Sequence, residues 1–389
     1  MGHVTPFLAP ATYLRNNGHR VGFIDYGVPV DLERHGFLRF RIPDWVPDWD
    51  EAAGQVAALA QDPARVRHYK ESSYITFEDA AIDAARNVIT AFDPDVVVTD
   101  GHTYPAILAA HIAKRPMVSY LVTRFALTPD LHQDRDLVNE LHGRRMERFV
   151  KHGASFDFRV WECLSNQGNA LIGHRAFIGE DTVVPERCRL VNPTLPPELS
   201  NEPGDPFPED LVGSGKYVFL SFGSQVYWQP ENAVRVARAT AALGLRTVWS
   251  TREIVDPQVL RGTEDILICV RHLHRRDYYR ALEGASAIVN HAGSGGLTEA
   301  LYLGTPILAL PCWTGQAIEA RLLEQCGAGI MLGESERSEA RLAAALEKLV
   351  MPNSTYRQAA GRVRDAFRAS DGAKDFAELV LDVADGKTL

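Results

Sequence analysis

The sequence is poor in cysteine and has no long apolar run, and both absences limit what the chain can be. The five cysteines of the 389-residue chain form no Cys-x-x-Cys pair, and their number is odd. This pattern is typical of reduced thiols in a cytoplasmic protein and argues against a disulfide framework or a zinc site. No run of about 18 apolar residues is present, so we expect neither a transmembrane helix nor a signal peptide.

The chain also lacks an excess of positive charge. Its formal net charge is −9 at pH 7, from 41 basic and 50 acidic residues. This balance disfavours nucleic acid and anionic membrane surfaces as partners. Paired acids such as Asp93 and Asp95 do not follow a buried strand as a metal-binding loop would, so we expect no metal site and no resident cofactor. The sequence leaves a homodimer open.

Short apolar runs alternate with helical stretches along both halves of the chain, which predicts parallel sheets covered by helices. The stretch 193–210 contains six prolines and several acids and is the best linker. We therefore predict an N-terminal Rossmann-like domain over 1–196, a linker over 197–212 and a C-terminal Rossmann-like domain over 213–372. A final helix over 373–389 is expected to pack back on the first domain.

The N-terminal domain departs from the usual Rossmann order. The chain begins with a loop and a predicted helix over 6–17, and the first apolar strand is Val21 to Asp25. A Rossmann-like domain normally begins with a strand before its first loop. We therefore expect this domain to lack its first strand.

A glycine-rich turn in the second half is the strongest functional signal. A buried strand over 287–290 runs into this turn, and a helix starts behind it. Glycines allow backbone N–H groups to approach phosphate oxygens, and the helix N-terminus adds partial positive charge. His291 is expected to donate a hydrogen bond to phosphate, and Glu299, one turn into the helix, to accept ribose hydroxyls. The pattern predicts a diphosphate site.

These residues resemble the donor-binding signature of nucleotide-sugar glycosyltransferases, especially the family that decorates natural products such as macrolides. The matching segments are Ser221-Phe222-Gly223-Ser224, His291 to Gly295, Glu299, and Gly304-Thr305-Pro306. The resemblance implies the GT-B fold, with two Rossmann-like domains facing across a cleft, and inverting transfer from a UDP- or TDP-sugar to a small-molecule acceptor. It implies donor contacts from Gly223, Ser224, His291, Gly293, Ser294, Gly295, Gly296, Glu299 and Gln316.

The sequence departs from the family pattern beside the last of these residues. Gln316 is retained, but Gly315 replaces the acid that normally binds a hydroxyl of the donor sugar, and Glu319 replaces an asparagine. A deoxysugar has fewer hydroxyls than glucose, so its binding would depend less on that acid. Trp313 is either an apolar wall for such a sugar or a core residue.

A second departure affects the nucleotide base. The family commonly carries a Trp-x-Pro-Gln segment that stacks the base, and this chain has the stretch 270–276 there. His272 and His274 are weak candidates for stacking, and a solvated basic stretch is the alternative.

The resemblance also places the catalytic base in the first half. Gly2-His3-Val4-Thr5-Pro6 matches a Gly-His-x-x-Pro loop in which the histidine takes the acceptor proton, and histidine suits that role because its ordinary pKa is near 6.5. Asp100 is expected to hold the ring of His3, with His102 as a reserve base. Aromatic residues over 30–75 and from Tyr120 to Phe125 are candidates for the acceptor wall or for core.

Two other functions remain open on the same pattern. A UDP-sugar 2-epimerase would keep the diphosphate site but need several acids around the sugar. A non-catalytic homologue would assist another transferase as its partner.

Overall fold

The computed structural model describes most of the chain in eleven stretches. These are residues 4–25, 31–42, 63–128, 131, 135–196, 204–211, 214–223, 230–251, 258, 260–312 and 314–389. The chain folds into two compact units. The first comprises Met1–His174, Asp181–Pro196 and Ser370–Leu389, and the second comprises Arg175–Glu180 and Pro197–Ala369. Within the described stretches, no helix has the length and apolar character needed to cross a membrane.

The first unit combines eight strands with six helices in its described part. The helices are α1 (Thr5–Asn16), α2 (Pro63–Tyr74), α3 (Asp79–Phe92), α4 (Tyr104–Ile112), α5 (Arg135–Lys151) and, from the end of the chain, α13 (Gly372–Ala384). The strands are β1 (Gly22–Asp25), β2 (Leu38–Arg41), β3 (Val97–Asp100), β4 (Met117–Leu121), β5 (Asp157–Arg159), β6 (Glu162–Leu164), β7 (Gly168–Ile172) and β8 (Cys188–Val191).

The parallel strands of the first unit lie in two separate sheets. One contains β1 and β2, and the other has the order β3-β4-β7-β8; β5 and β6 form an antiparallel hairpin. Strands β4 and β7 are buried along their whole length, as expected for the centre of a sheet covered on both faces. Helix α13 belongs to this core, where Phe376 packs against Phe7 and Tyr120 at ring distances of 5.5 and 6.1 Å.

The second unit is a single parallel sheet covered by helices. Its strands are β9 (Tyr217–Ser221), β10 (Arg246–Ser250), β11 (Leu267–Val270), β12 (Ala287–Asn290), β13 (Ile307–Ala309) and β14 (Gly329–Met331). Its helices are α6 (Arg175–Ile178), α7 (Pro230–Ala241), α8 (Arg275–Gly284), α9 (Ser294–Leu303), α10 (Thr314–Gln325), α11 (Glu339–Val350) and α12 (Thr355–Phe367). The predicted α/β class with parallel sheets is confirmed.

Sequence periodicity placed one helix imperfectly. The apolar spacing predicts a helix over 75–92 with one apolar face made of Phe77, Ala80, Ala81, Ala84, Val88 and Ile89, but α3 begins only at Asp79. Phe77, Ala81 and Ile89 are buried as predicted, Ala84 and Val88 pack partly buried against the same core, and Ala80 is exposed. The helix also buries Ile82 and Ala85, which the spacing did not assign to this face. Glu78 is extended and ends the preceding segment, so the helix starts later than predicted. Packing therefore widens the predicted apolar face, and the spacing of apolar residues alone does not fix its width.

Candidate functional site

The glycine-rich turn lies at the point where the strand order of the second unit reverses. The sheet has the order β11-β10-β9-β12-β13-β14, so the chain builds outward from β9 in one direction and from β12 in the other. In the parallel pair, Asn290 of β12 lies opposite Ser221 of β9. The two loops that leave these carboxyl ends are therefore neighbours. Open α/β sheets bind their ligands at such a switch point.

Asn290 shapes the turn after β12. Its side-chain Oδ1 accepts a hydrogen bond of 2.9 Å from the N–H of Ala292. This bond supports Ala292 in the left-handed region, with φ of 57°, which is unfavourable for a residue with a Cβ. Gly293 is then extended and caps the N-terminus of α9. The turn directs the first N–H groups of α9 to the carboxyl edge of the sheet.

His291 lies between two glycines that leave room for its ring. A Cβ on Gly223 would lie 2.9 Å from the ring Cε1, and a Cβ on Gly293 would lie 2.3 Å from Nε2. Gly223 also has a φ of 67° at the end of β9. The two predicted motifs therefore meet at this imidazole. Ser224, which the sequence analysis also assigns to the site, lies outside the described residues.

The surroundings of His291 keep its ring neutral. Burial lowers the pKa of the imidazole to about 4. Its Nδ1 atom is buried, and no described residue forms a hydrogen bond with it. A neutral imidazole carries one N–H donor and one acceptor nitrogen, so the ring can donate a hydrogen bond without carrying charge.

Gly295 and Gly296 lie in the first turn of helix α9. Packing among the described residues does not explain why both positions are glycine. Among the described residues, a Cβ on either glycine would meet no atom within 4 Å, apart from the local helix backbone. Glycine is a poor helix residue, costing about 1 kcal/mol relative to alanine. The space above these two positions fits the close approach of a ligand to the backbone.

Ser294 and Gln316 are already engaged by other groups. The Ser294 hydroxyl donates to Oε1 of Glu319 at 2.7 Å, and that carboxylate is only 1% exposed. The side-chain oxygen of Gln316 accepts the N–H of Cys312 at 2.8 Å. The residue that replaces the family asparagine thus lies directly behind the predicted diphosphate turn. Trp313 lies outside the described residues.

Glu299 has a cationic partner that the sequence analysis missed. Nη1 of Arg275 lies 3.0 Å from Oε1 of Glu299, and both side chains are largely sheltered from solvent. Arg275 begins α8, while Glu299 lies in the middle of α9. The sequence shows Arg275 within the stretch 270–276, but it does not show that this arginine pairs with an acid 24 residues later.

The two histidines considered for base stacking have different roles. His274 accepts the N–H of Gly204 at 3.0 Å through Nε2, so this ring is held by the segment before β9. The backbone N–H of His272 donates to Asp205 at 3.1 Å, while its own Nε2 is buried without a hydrogen-bond partner among the described residues. Of the two candidates, His272 has the ring nitrogen that the fold leaves uncommitted.

Asp100 forms a pair with His102 at the carboxyl end of β3. One oxygen of the 7%-exposed Asp100 accepts the backbone N–H of His102 at 2.7 Å and contacts its ring Nδ1 at 3.1 Å. If Nδ1 carries the proton, the other ring nitrogen is a proton acceptor. His3 lies outside the described residues, so its expected pairing with Asp100 stays a prediction.

Two residues of the proposed aromatic wall belong to the core. Phe37 is 4% exposed and packs edge-on against Phe23 at 4.9 Å. Tyr120 is 6% exposed and stacks on Phe7 at 5.6 Å. For these two rings the core alternative holds.

Within the described residues, no three His, Cys, Asp or Glu side chains are grouped closely enough to hold a metal ion.

Comparisons with known proteins show what the chain as a whole is similar to. Residues 200–366 match the family model described as UDP-glucoronosyl and UDP-glucosyl transferase. An uncharacterized UDP-glucosyltransferase of Bacillus subtilis strain 168, YojK, is 22% identical, with the match covering 100% of this chain and 96% of the relative. The crystal structure of the calicheamicin glycosyltransferase CalG4 aligns with a TM-score of 0.72 at 21% identity over 99% and 96% of the two chains. The glycosyltransferase VinC, solved in complex with dTDP, aligns with a TM-score of 0.69 at 18% identity over 99% and 97%.

Proposed function

We propose that this chain, a glycosyltransferase with the GT-B fold, transfers a sugar from a UDP- or TDP-sugar to a hydroxyl or amine of a small natural-product acceptor. The transfer proceeds with inversion and without a metal. One observation carries the proposal. Neutral His291 lies between Gly223 and Gly293, beside a helix N-terminus where a Cβ on Gly295 or Gly296 would contact no other part of the chain that the structure describes.

These residues provide what a leaving diphosphate needs. Negative charge develops on the diphosphate as the bond to the sugar breaks, and preorganised donors lower the energy of that state. The first N–H groups of α9 and the partial positive charge of the helix end serve this purpose. His291 adds a hydrogen-bond donor whose ring is already neutral at ordinary pH.

We assign the base to the first unit. A base must take the acceptor proton as the hydroxyl attacks the anomeric carbon. His3 is the proposed base, and the buried carboxylate of Asp100 orients it and stabilises the imidazolium, as in a catalytic triad. His102 already contacts this carboxylate and is the alternative base.

We propose a hydroxyl-poor donor sugar. Gly315 offers no side chain where the family has an acid, and the nearby Glu319 is buried against Ser294. The likeness to CalG4, the calicheamicin glycosyltransferase, supports the proposed class of acceptor. We place the enzyme in the cytoplasm, which its five free cysteines support.

A two-stage experiment tests this function. A thermal-shift screen of nucleotides should show stabilisation by UDP or TDP, since a ligand of the folded state raises its stability. Donor hydrolysis or transfer to a panel of phenolic and macrolide acceptors should then be followed by mass spectrometry. Conversion of UDP-N-acetylglucosamine alone to its manno isomer would establish the epimerase instead. Nucleotide binding without turnover of any donor would favour the non-catalytic homologue.

A further inference from the structure

The Arg275–Glu299 pair places a permanent cation beside the proposed ribose-binding carboxylate. The two groups are 3.0 Å apart, with side chains 21% and 13% exposed. The guanidinium carbon also lies 5.7 Å from the ring centroids of Tyr278 and Tyr279 on its own helix. Arg275 is therefore held from two sides, by an acid on α9 and by aromatic faces on α8.

This pairing changes what Glu299 offers to a nucleotide. A carboxylate that binds a ribose accepts hydrogen bonds from both the 2′- and the 3′-hydroxyl. Such hydrogen bonds are stronger when the acceptor is charged. Arg275 directs a donor at Oε1 and compensates the carboxylate charge. Oε1 can still accept a ribose hydroxyl through its second lone pair, but that oxygen already has its charge compensated by the guanidinium, so the hydroxyl's hydrogen bond contributes less to binding.

We propose that Arg275 is a specificity-determining residue that reduces discrimination between ribose and 2′-deoxyribose, so that the donor site accepts both uridine and thymidine diphosphates. This inference rests on the proposed function, because it assumes that Glu299 faces the ribose. Arg275 acts through Glu299 and is a positioning residue.

The test compares nucleotides that differ by one group. Affinities of the full chain for UDP, 2′-deoxy-UDP and TDP are measured by isothermal titration calorimetry. UDP and 2′-deoxy-UDP differ only in the 2′-hydroxyl, while 2′-deoxy-UDP and TDP differ only in the base methyl. For the wild type, UDP should bind no more than about threefold more tightly than 2′-deoxy-UDP. In Arg275→Ala the ratio should rise to about tenfold or more, the value of one hydrogen bond to an unshared charge.

Two further variants define the origin of that change. Arg276→Ala alters the adjacent, exposed arginine and should leave the ratio at its wild-type value. Arg275→Ala combined with Glu299→Gln should return the ratio to near that value, because the released carboxylate is gone. If the alanine variant does not fold, Arg275→Met keeps the apolar stem over the tyrosine rings and removes the charge.

The outcomes separate the inference from the function on which it rests. Failure of the wild type to bind either UDP or TDP would overturn both. Binding of UDP with a wild-type preference of about tenfold or more over 2′-deoxy-UDP would overturn only the inference. So would a ratio that is the same in wild type and Arg275→Ala. A weaker affinity for all three nucleotides with an unchanged ratio would give Arg275 a purely structural role.

Discussion

The ring of His291 and the backbone of Gly293 are so close that a Cβ on Gly293 would lie 2.3 Å from Nε2. Two atoms cannot approach to that distance without a shift of the ring or of the turn. We therefore expect Gly293→Ala to displace His291 and to weaken UDP or TDP binding by about tenfold or more, the value of a hydrogen bond to a charged group. Calorimetric titration measures this change. Wild-type affinity in Gly293→Ala would mean that the position of this ring does not matter for the nucleotide.

Gly295 lies two residues after Gly293. Its substitution Gly295→Ala should raise the stability of the protein and weaken its binding of nucleotide. The alanine Cβ would contact none of the described residues within 4 Å beyond the helix backbone, so the substitution should stabilise the ligand-free protein by about 0.5–1 kcal/mol through helix propensity. The same methyl group should obstruct a diphosphate that lies on the turn. Urea denaturation measures the first effect and nucleotide titration the second. A variant that is more stable and still binds UDP normally would show that the diphosphate lies elsewhere.

Burial of His291 should make the stability of the protein depend on pH. Its pKa is lowered to about 4 in the folded chain from an ordinary value of 6.5. Below pH 6.5 the unfolded chain binds a proton that the folded chain does not, so the free energy of unfolding falls as pH drops toward 4. The total loss from this residue is about 3 kcal/mol.

His291→Gln removes this titration and isolates its effect. The stability advantage of the wild type over the variant, measured by urea denaturation at several pH values, should be constant above pH 7 and shrink steadily below about pH 6.5. Parallel pH profiles for the two proteins would contradict a buried neutral imidazole at this position.

The sequence predicts the donor turn well because the turn is local. The strand over 287–290, the glycines and the helix behind them follow one another along the chain, and each residue type has a backbone reason to be there. The pairs Arg275–Glu299 and Ser294–Glu319 are different, since each joins two helices about 25 residues apart. Which side chains meet across such helices depends on packing that no short motif encodes.

In the first unit, too, packing limits what could be predicted of the fold from the sequence. The buried strands could be read from their apolar runs, but α3 begins four residues later than predicted and also buries Ile82 and Ala85. Asp100 was predicted as a partner for a histidine, and the structure adds a contact with His102, only two residues away. A short-range contact of this kind depends on the turn geometry after β3.

The pair of Asp100 and His102 leads to a test of the catalytic base. His3→Ala should lower kcat by about a hundredfold or more, because general-base catalysis contributes at least that much. Asp100→Asn should produce a loss of similar size, since the base would lose its orienting carboxylate. His102→Ala should cost only about tenfold, through a less ordered Asp100.

Steady-state kinetics with saturating donor measures these losses, and nucleotide titration shows whether the donor site is intact in each variant. All three substitutions should leave UDP or TDP affinity nearly unchanged. Full activity in His3→Ala together with a large loss in His102→Ala would transfer the role of base to His102.

The last helix, α13, offers a stability prediction with a built-in control. A Cβ on Gly372, its first residue, would lie 1.9 Å from the carbonyl oxygen of Asn192. That oxygen is part of the backbone and cannot rotate away, so Gly372→Ala should destabilise the protein by about 1–3 kcal/mol. Gly361→Ala, inside α12, would bring its Cβ no closer than 4.0 Å to the end of Arg364 and should stabilise by about 0.5–1 kcal/mol. Urea denaturation of both variants should therefore give shifts of opposite sign. A neutral Gly372→Ala would mean that α13 moves away from Asn192 at little cost.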